Sequence, residues 1–261
     1  LALRALRRSR KRLRAADLFA GAGGASWGAT LAGLDVVAAV NHDPVAVAAH
    51  SAALPWASHM IEDLMRLSPM ALPKHDIMWA SSECTGHTRA RGAEASHHDA
   101  SRATAWCPVR MADYHRPLCA IVENVVDFEG WPLLPAWSLA WKCIGYREQR
   151  IRLLAADHGV PQLRERSFFV FTDEARVRKA PDLSRPPKLP HVASRTVVDL
   201  DTSRGRWSRW STYAARSRRR IASAIAHQGG PCLVPYYGSA SSDRGWSLDR
   251  PCGTLTRVDR F

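Results

Sequence analysis

Between residues 15 and 172, short apolar runs alternate with segments carrying helix signals, and this alternation limits the fold more than any other feature. Ala15-Ala-Asp-Leu-Phe19 is an apolar run ending in Gly21-Ala-Gly-Gly24; Ala25 to Ala32 then has helical character and stops at Gly33. Asp35 to Val40 reads as a second strand, closed by Asn41-His-Asp-Pro44, where the proline suits the first turn of a helix over Val45 to Leu54. Further strands are expected at Asp76 to Ala80, Cys119 to Val122, Gln149 to Leu154 and Ser167 to Phe171, with helices at Ala103 to His115 and Leu134 to Ile144. Such alternation predicts an α/β fold, a mostly parallel sheet with helices on both faces.

From Asp173 the pattern dissolves into a stretch containing Pro181, Pro186, Pro187 and Pro190, the expected domain boundary. The predicted organisation is a basic segment over 1–13, an α/β domain over 14–172, and a linker with a smaller region over 173–261. The 37 Lys+Arg against 24 Asp+Glu give a net charge of +13, which suits a polyanionic partner. Coding bias would also produce it, since 32 of those cations are Arg. Arg4 to Arg14 carries seven cations and no acid, and Arg204 to Arg220 carries seven more among Trp207, Trp210 and Tyr213. Cations mixed with aromatics can hold phosphates and stack on bases, so the second cluster is the better binding candidate. Six cysteines without a CxxC pair and without a secretory signal lead us to expect reduced thiols in a cytoplasm. No run approaches eighteen consecutive apolar residues, so no membrane span is expected.

The chemistry-bearing residues gather at predicted strand ends. Gly21-Ala-Gly-Gly24 between strand and helix makes a turn a ligand can approach closely, with helix N–H groups behind it, although such turns also serve packing. Asp43 follows the second strand and Asp63 stands further along in Ile61-Glu-Asp-Leu64; each can accept from a ribose hydroxyl or an adenine amine, or cap a helix. Cys84 follows Asp76-Ile-Met-Trp-Ala80 by four residues, where a polar loop can display a thiol, although a cysteine is more often a small core residue. Cys84, His87, His97, His98 and Cys107 match none of the usual zinc spacings.

Four phrases in order resemble the cytosine-C5 DNA methyltransferase family: Asp17-Leu-Phe-Ala-Gly-Ala-Gly-Gly24, Ser82-Glu-Cys-Thr85, Glu123-Asn-Val125 and Gln162-Leu-Arg-Glu-Arg166. The first looks like the family's S-adenosylmethionine loop, the second stands where its Pro-Cys nucleophile does, and the last two look like its Glu-Asn-Val and Gln-x-Arg-x-Arg motifs. The look is closest to methylases of actinobacteria and their phages. The resemblance implies a Rossmann-like S-adenosylmethionine-binding catalytic domain over 14–172 and a partial target-recognition region after it. It also implies double-stranded DNA as partner and the cytoplasm of a bacterial or phage-infected cell as location.

By this resemblance Cys84 adds to carbon 6 of a flipped cytosine and activates carbon 5. Glu123 holds a proton at N3, Asn124 fixes the loop, and Arg164 and Arg166 steady the base and a phosphate. S-adenosylmethionine would lie against Asp17, Phe19, Ala20, Gly21, Gly23, Gly24, Asn41, His42, Asp43, Asp63 and Ser82, with the Phe19 ring stacked on adenine. Three departures bear on this. Glu83 precedes the cysteine where the family has Pro, and a neighbouring carboxylate disfavours a thiolate. Asn41 and His42 stand where a ribose-binding Glu is usual. Pro251-Cys-Gly-Thr-Leu-Thr256 resembles the phrase near the end of the family's recognition region, and the motifs that normally follow it are absent. A fragment or a split-gene product is therefore expected, with weak or absent activity unless a second polypeptide supplies those motifs. Gly238-Ser-Ala-Ser-Ser-Asp-Arg-Gly245 is a candidate loop facing base edges, and equally a solvated one. An RNA cytosine-C5 methyltransferase and an inactive DNA-binding fragment stay open as alternatives.

Overall fold

In the computed structural model, which describes residues 12–83, 101–199, 201, 208–234 and 245–254, the first apolar run forms β1 (Arg14–Leu18). The glycine turn leads into α1 (Gly24–Leu31), followed by β2 (Asp35–Asn41) and α2 (Pro44–Ala53), the latter opened by proline as expected. Then come β3 (Ser58–Ile61), β4 (Ile77–Ala80), α3 (Cys107–His115), β5 (Cys119–Asn124), α4 (Leu134–Cys143), β6 (Tyr146–Leu154) and β8 (Glu165–Asp173); a two-residue β7 (Gln162–Leu163) precedes the last. Seven strands form one sheet in the order β3-β2-β1-β4-β5-β8-β6. Neighbours from β3 to β5 run parallel and β8 is antiparallel to β5, pairing Glu123 with Phe168 and Asn124 with Ser167.

Several boundaries differ from the sequence expectation for physical reasons. β3 was not anticipated: four half-exposed residues at a sheet edge carry little apolar pattern. The helix expected over Ala103 to His115 begins as a 3₁₀ turn, Thr104–Trp106, and becomes α3 only at Cys107, with Pro108 in its first turn, where a missing N–H is harmless.

The chain divides into two compact units. One comprises Leu1–Arg152 with Arg166–Ser184, and the other Leu153–Glu165 with Arg185–Phe261. The first therefore extends past the boundary expected at 173. Asp173 is buried and paired with Arg176 and Arg116, and the Gln149 side chain binds Pro181 O and Leu183 N, so the chain stays attached to Ser184. Its core is strongly aromatic. Trp137 and Trp141 of α4 pack with Phe128, Phe169 and Phe171, the Trp141 and Phe171 rings stacked at 4.0 Å. Each fully buried ring of this size contributes about 2–3 kcal/mol of burial, and together they anchor β8 beneath the site.

In the second unit β7 pairs in parallel with β11 (Cys252–Gly253), and β9 (Cys232–Leu233) pairs antiparallel with β10 (Trp246–Ser247). The Arg-rich stretch leads into a 14-residue helix, α5 (Ala215–Gln228). Ala and Arg are strong helix formers, and Gly229 ends the helix in the left-handed region. No described helix is long and apolar enough to cross a membrane.

Candidate active site

Sheet order locates the site. From β1 the chain builds outward to β2 and β3 on one side and to β4 and β5 on the other, so the order reverses between β1 and β4. Ligands of open α/β sheets bind beyond the carboxyl ends of the strands flanking such a reversal. Here those ends carry Asp17 and the glycine loop on β1, and Ser82 just past β4.

Asp17 is 4% exposed. Its Oδ2 accepts from Ser26 Oγ at 2.6 Å, whereas its Oδ1 is buried with no hydrogen-bond partner. Burial raises its pKa to about 6, against the opposing effect of hydrogen bonds from the Ser26 hydroxyl and N–H. Ser26 escaped the sequence reading because a serine inside a helix carries no signal of its own. Phe19, next along, has φ 61, rare for a bulky residue, and this kink ends β1. Gly23 has φ 105, and a Cβ there would lie 3.1 Å from Leu54 Cδ1, so both conformation and space demand glycine. A Cβ on Gly21 or Gly24 would meet nothing within 4 Å.

S-adenosylmethionine can be tested against this cradle. An orphaned buried carboxylate oxygen suits an ammonium group, the open glycines admit close approach, and the start of α1 offers N–H groups. The residues fit.

The other expected cofactor residues are used locally. Asp43 is exposed and caps α2, Oδ1 accepting from Val45 N at 2.8 Å. Asp63 accepts from Met65 N at 2.9 Å and lies 3.8 Å from Arg66. His42 is exposed. Asn41 is tied at both ends of its carboxamide, to Ala20 O and Asp43 N, each at 2.8 Å.

Past β4, the buried Ser82 is clamped by Asn124, whose Nδ2 donates to Ser82 O at 3.3 Å and Oγ at 3.2 Å while its Oδ1 accepts from Val125 N. The amide of the exposed Glu83 donates to Thr104 Oγ1 at 3.2 Å. Cys84 itself, His87, His97 and His98 lie outside the described residues, as do residues 1–11, 202–207 and 238–244. On the opposite face of β5 from Asn124, Glu123 Oε1 meets Arg166 Nε at 3.1 Å, both side chains 17% exposed. The structure thus brings Asp17, Ser82, Glu123, Asn124 and Arg166 into one unit, while Arg164 belongs to the other, its carbonyl accepting from Ala155 N.

A support missed from sequence sits beneath this pair. Glu129 takes Arg152 through both oxygens and also accepts from Ser167 Oγ, the residue opposite Asn124. The Arg152 hydrogen bonds hold the Glu129 carboxyl below its ordinary range. Cys107, the one described member of the weighed zinc set, is buried against Met65, and burial pushes its thiol up to about 11.

Residues 13–229 match the family described as C-5 cytosine-specific DNA methylase. The chain belongs to this family. As a member of it, the chain is 28% identical over 233 residues to the Type II methyltransferase M.XorII of Xanthomonas oryzae, covering 77% of this chain and 52% of that one. Against M.DdeI of Desulfomicrobium norvegicum it is 27% identical, covering 66% and 44%. A crystal structure of a DNA modification methyltransferase encoded within an E. coli prophage superposes with a TM-score of 0.61 at 25% identity, covering 70% of this chain and 53% of that one. This C-5 methylase chain thus spans about half the length of the curated relatives it matches. Its sheet is the Rossmann-like sheet of S-adenosylmethionine-dependent methyltransferases.

Proposed function

We propose that this chain carries the catalytic centre of a DNA cytosine-C5 methyltransferase, with Cys84 as nucleophile and S-adenosylmethionine as methyl donor. The supporting observation is the Asn124 clamp on Ser82, two residues before Cys84, on the same strand end that carries the Glu123–Arg166 pair. A base in a duplex cannot reach such a pocket, so the cytosine is extruded first.

The Cys84 thiolate then donates its electron pair to carbon 6, and the ring π electrons move toward N3, where Glu123 supplies or holds a proton. Arg166 keeps the Glu123 carboxyl in place, and Asn124 keeps the segment leading to Cys84 in register. Asp17 and the glycine loop would hold S-adenosylmethionine, which would supply an electrophilic methyl on sulfur and leave as the neutral thioether once the sulfur–methyl bond breaks. Carbon 5 takes the methyl group, a base removes the carbon-5 proton, and the returning electrons expel the Cys84 thiolate. The basic second unit, with Arg209, Arg216 and Arg218 to Arg220, would hold phosphate.

Duplex DNA carrying 5-fluorocytosine tests the reading, because fluorine cannot leave as a proton does. With cofactor present, a covalent adduct is expected for the native chain and none for Cys84→Ser. An adduct that persists in the variant overturns Cys84 as nucleophile. Preferential methyl incorporation into folded RNA over duplex DNA would overturn the substrate assignment.

A further inference from the structure

We propose that Asn41 is a positioning residue for the cofactor loop: its carboxamide stitches the loop after β1 to the turn after β2 and so holds Phe19 in its left-handed conformation. This rests on reading the glycine loop as the S-adenosylmethionine site.

The backbone ladder between β1 and β2 ends with Leu18 opposite Val40, just where Phe19 turns to φ 61. A bulky residue in this region is strained and persists only when its neighbours over-determine it. Ala20, the next residue, is held on both of its backbone polar groups. Its N–H donates to Val40 O at 2.9 Å, and its carbonyl accepts from Asn41 Nδ2 at 2.8 Å. A side chain thus resumes the ladder that the kink interrupts.

The orientation of the amide is forced. The Asp43 N–H, 2.8 Å away, needs an acceptor, so Oδ1 faces Asp43 and the NH2 group must face Ala20. The main chain of Asn41 is fixed as well, its carbonyl accepting from Glu62 N at 3.0 Å. A carboxylate at this position would still satisfy Asp43, but it would set a second acceptor against the Ala20 carbonyl. An acid at this position therefore cannot make the bond to the Ala20 carbonyl that the Asn41 amide makes. Asn41 presents Phe19 to the cofactor in place of binding the ribose as a charged acceptor.

The two roles predict opposite signs for one substitution. If Asn41 stood in for a ribose-binding acid, Asn41→Glu would restore the charge and tighten cofactor binding. If it braces the loop, Asn41→Asp and Asn41→Glu both weaken binding, and Asn41→Ala does so through loss of the stitch. The test is calorimetric titration of the full chain with S-adenosylhomocysteine, alongside amide hydrogen exchange of the unliganded protein. We expect affinity at least ten-fold lower for both acidic variants, with faster exchange across residues 19–24 and unchanged exchange in α4. Equal or tighter binding by an acidic variant overturns the proposal, as does unchanged exchange at 19–24 or a uniform acceleration that includes α4. Failure of the native chain to bind S-adenosylhomocysteine would refute the cofactor reading by itself, and the exchange comparison would still decide the brace.

Discussion

Replacing Asp17 by Asn should stabilise the unliganded protein at pH 8 and do little at pH 5. Burial lifts the Asp17 carboxyl from its ordinary 3.8 to about 6, and at 1.36 kcal/mol per pH unit this corresponds to about 3 kcal/mol. A group whose pKa is raised on folding binds protons more readily in the native state, so its contribution is fully present below pH 4 and is lost as pH rises through 6. Above that value the native chain holds a buried charge with only Ser26 to answer it. An amide keeps Ser26 as donor but leaves its own N–H buried, which returns roughly 1–2 kcal/mol. The expected net gain at pH 8 is thus about 1–2 kcal/mol, a rise of several degrees in melting temperature for a unit of this size. His50, His75 and His115 have pKa values lowered by burial, and their contribution grows with pH, opposite in sign. The assay is therefore the difference between variant and native melting temperatures, measured by calorimetry at pH 5 and pH 8. A variant destabilised equally at both values would refute the argument that desolvation of Asp17 dominates. The same substitution should weaken S-adenosylhomocysteine binding, since the orphan oxygen is then no longer a carboxylate.

Asn124→Ala removes the bonds to Ser82 and to Val125 N, and methyl transfer should fall at least a hundred-fold with KM for cofactor nearly unchanged; steady-state kinetics showing a pure KM effect would count against the clamp. Trp137→Ala empties the centre of the aromatic core and should cost about 3–5 kcal/mol, read as a lower urea midpoint; a loss below about 1 kcal/mol would contradict its place in the core. In the second unit a Cβ on Gly253 would overlap the Trp246 ring. Gly253→Ala should therefore disturb Trp246 and β11, and an unchanged tryptophan emission spectrum would show that the contact is not as close as described.

The central fold was legible because β1, β2, α2 and β4 carry local signals that agree with their tertiary roles: apolar runs, a glycine turn, a proline in a first turn. β3 was not, since its pairing with β2 comes from the sheet and not from its own four residues. The site divides the same way. Asp17, the glycine loop, Glu123, Asn124 and Arg166 stand in recognisable phrases, and the structure gathers them. Ser26, Thr104, Glu129, Arg152 and Ser167 act by reaching a partner distant in sequence, and a lone serine or arginine announces nothing. Asp43 and Asp63 each accept from a neighbouring N–H; a carboxylate after a strand can serve a ligand or such an N–H, and spacing does not distinguish the two.

The pairing of β7 with β11 also governs the order of assembly. Gln162 and Leu163 are matched to Cys252 and Gly253, and Thr254 Oγ1 donates to Leu163 O at 2.8 Å, across 91 positions of chain. During synthesis the first unit can complete β1 to β5 from contacts already made. The β7 edge, Gln162–Leu163, must wait unpaired until residues beyond 250 emerge, a long loop to close before that pairing rewards it. The segment bearing Arg164 is thus among the last parts of the chain to acquire its final geometry, and a truncation ahead of Pro251 would leave it an open strand edge, exposed to pairing with other chains.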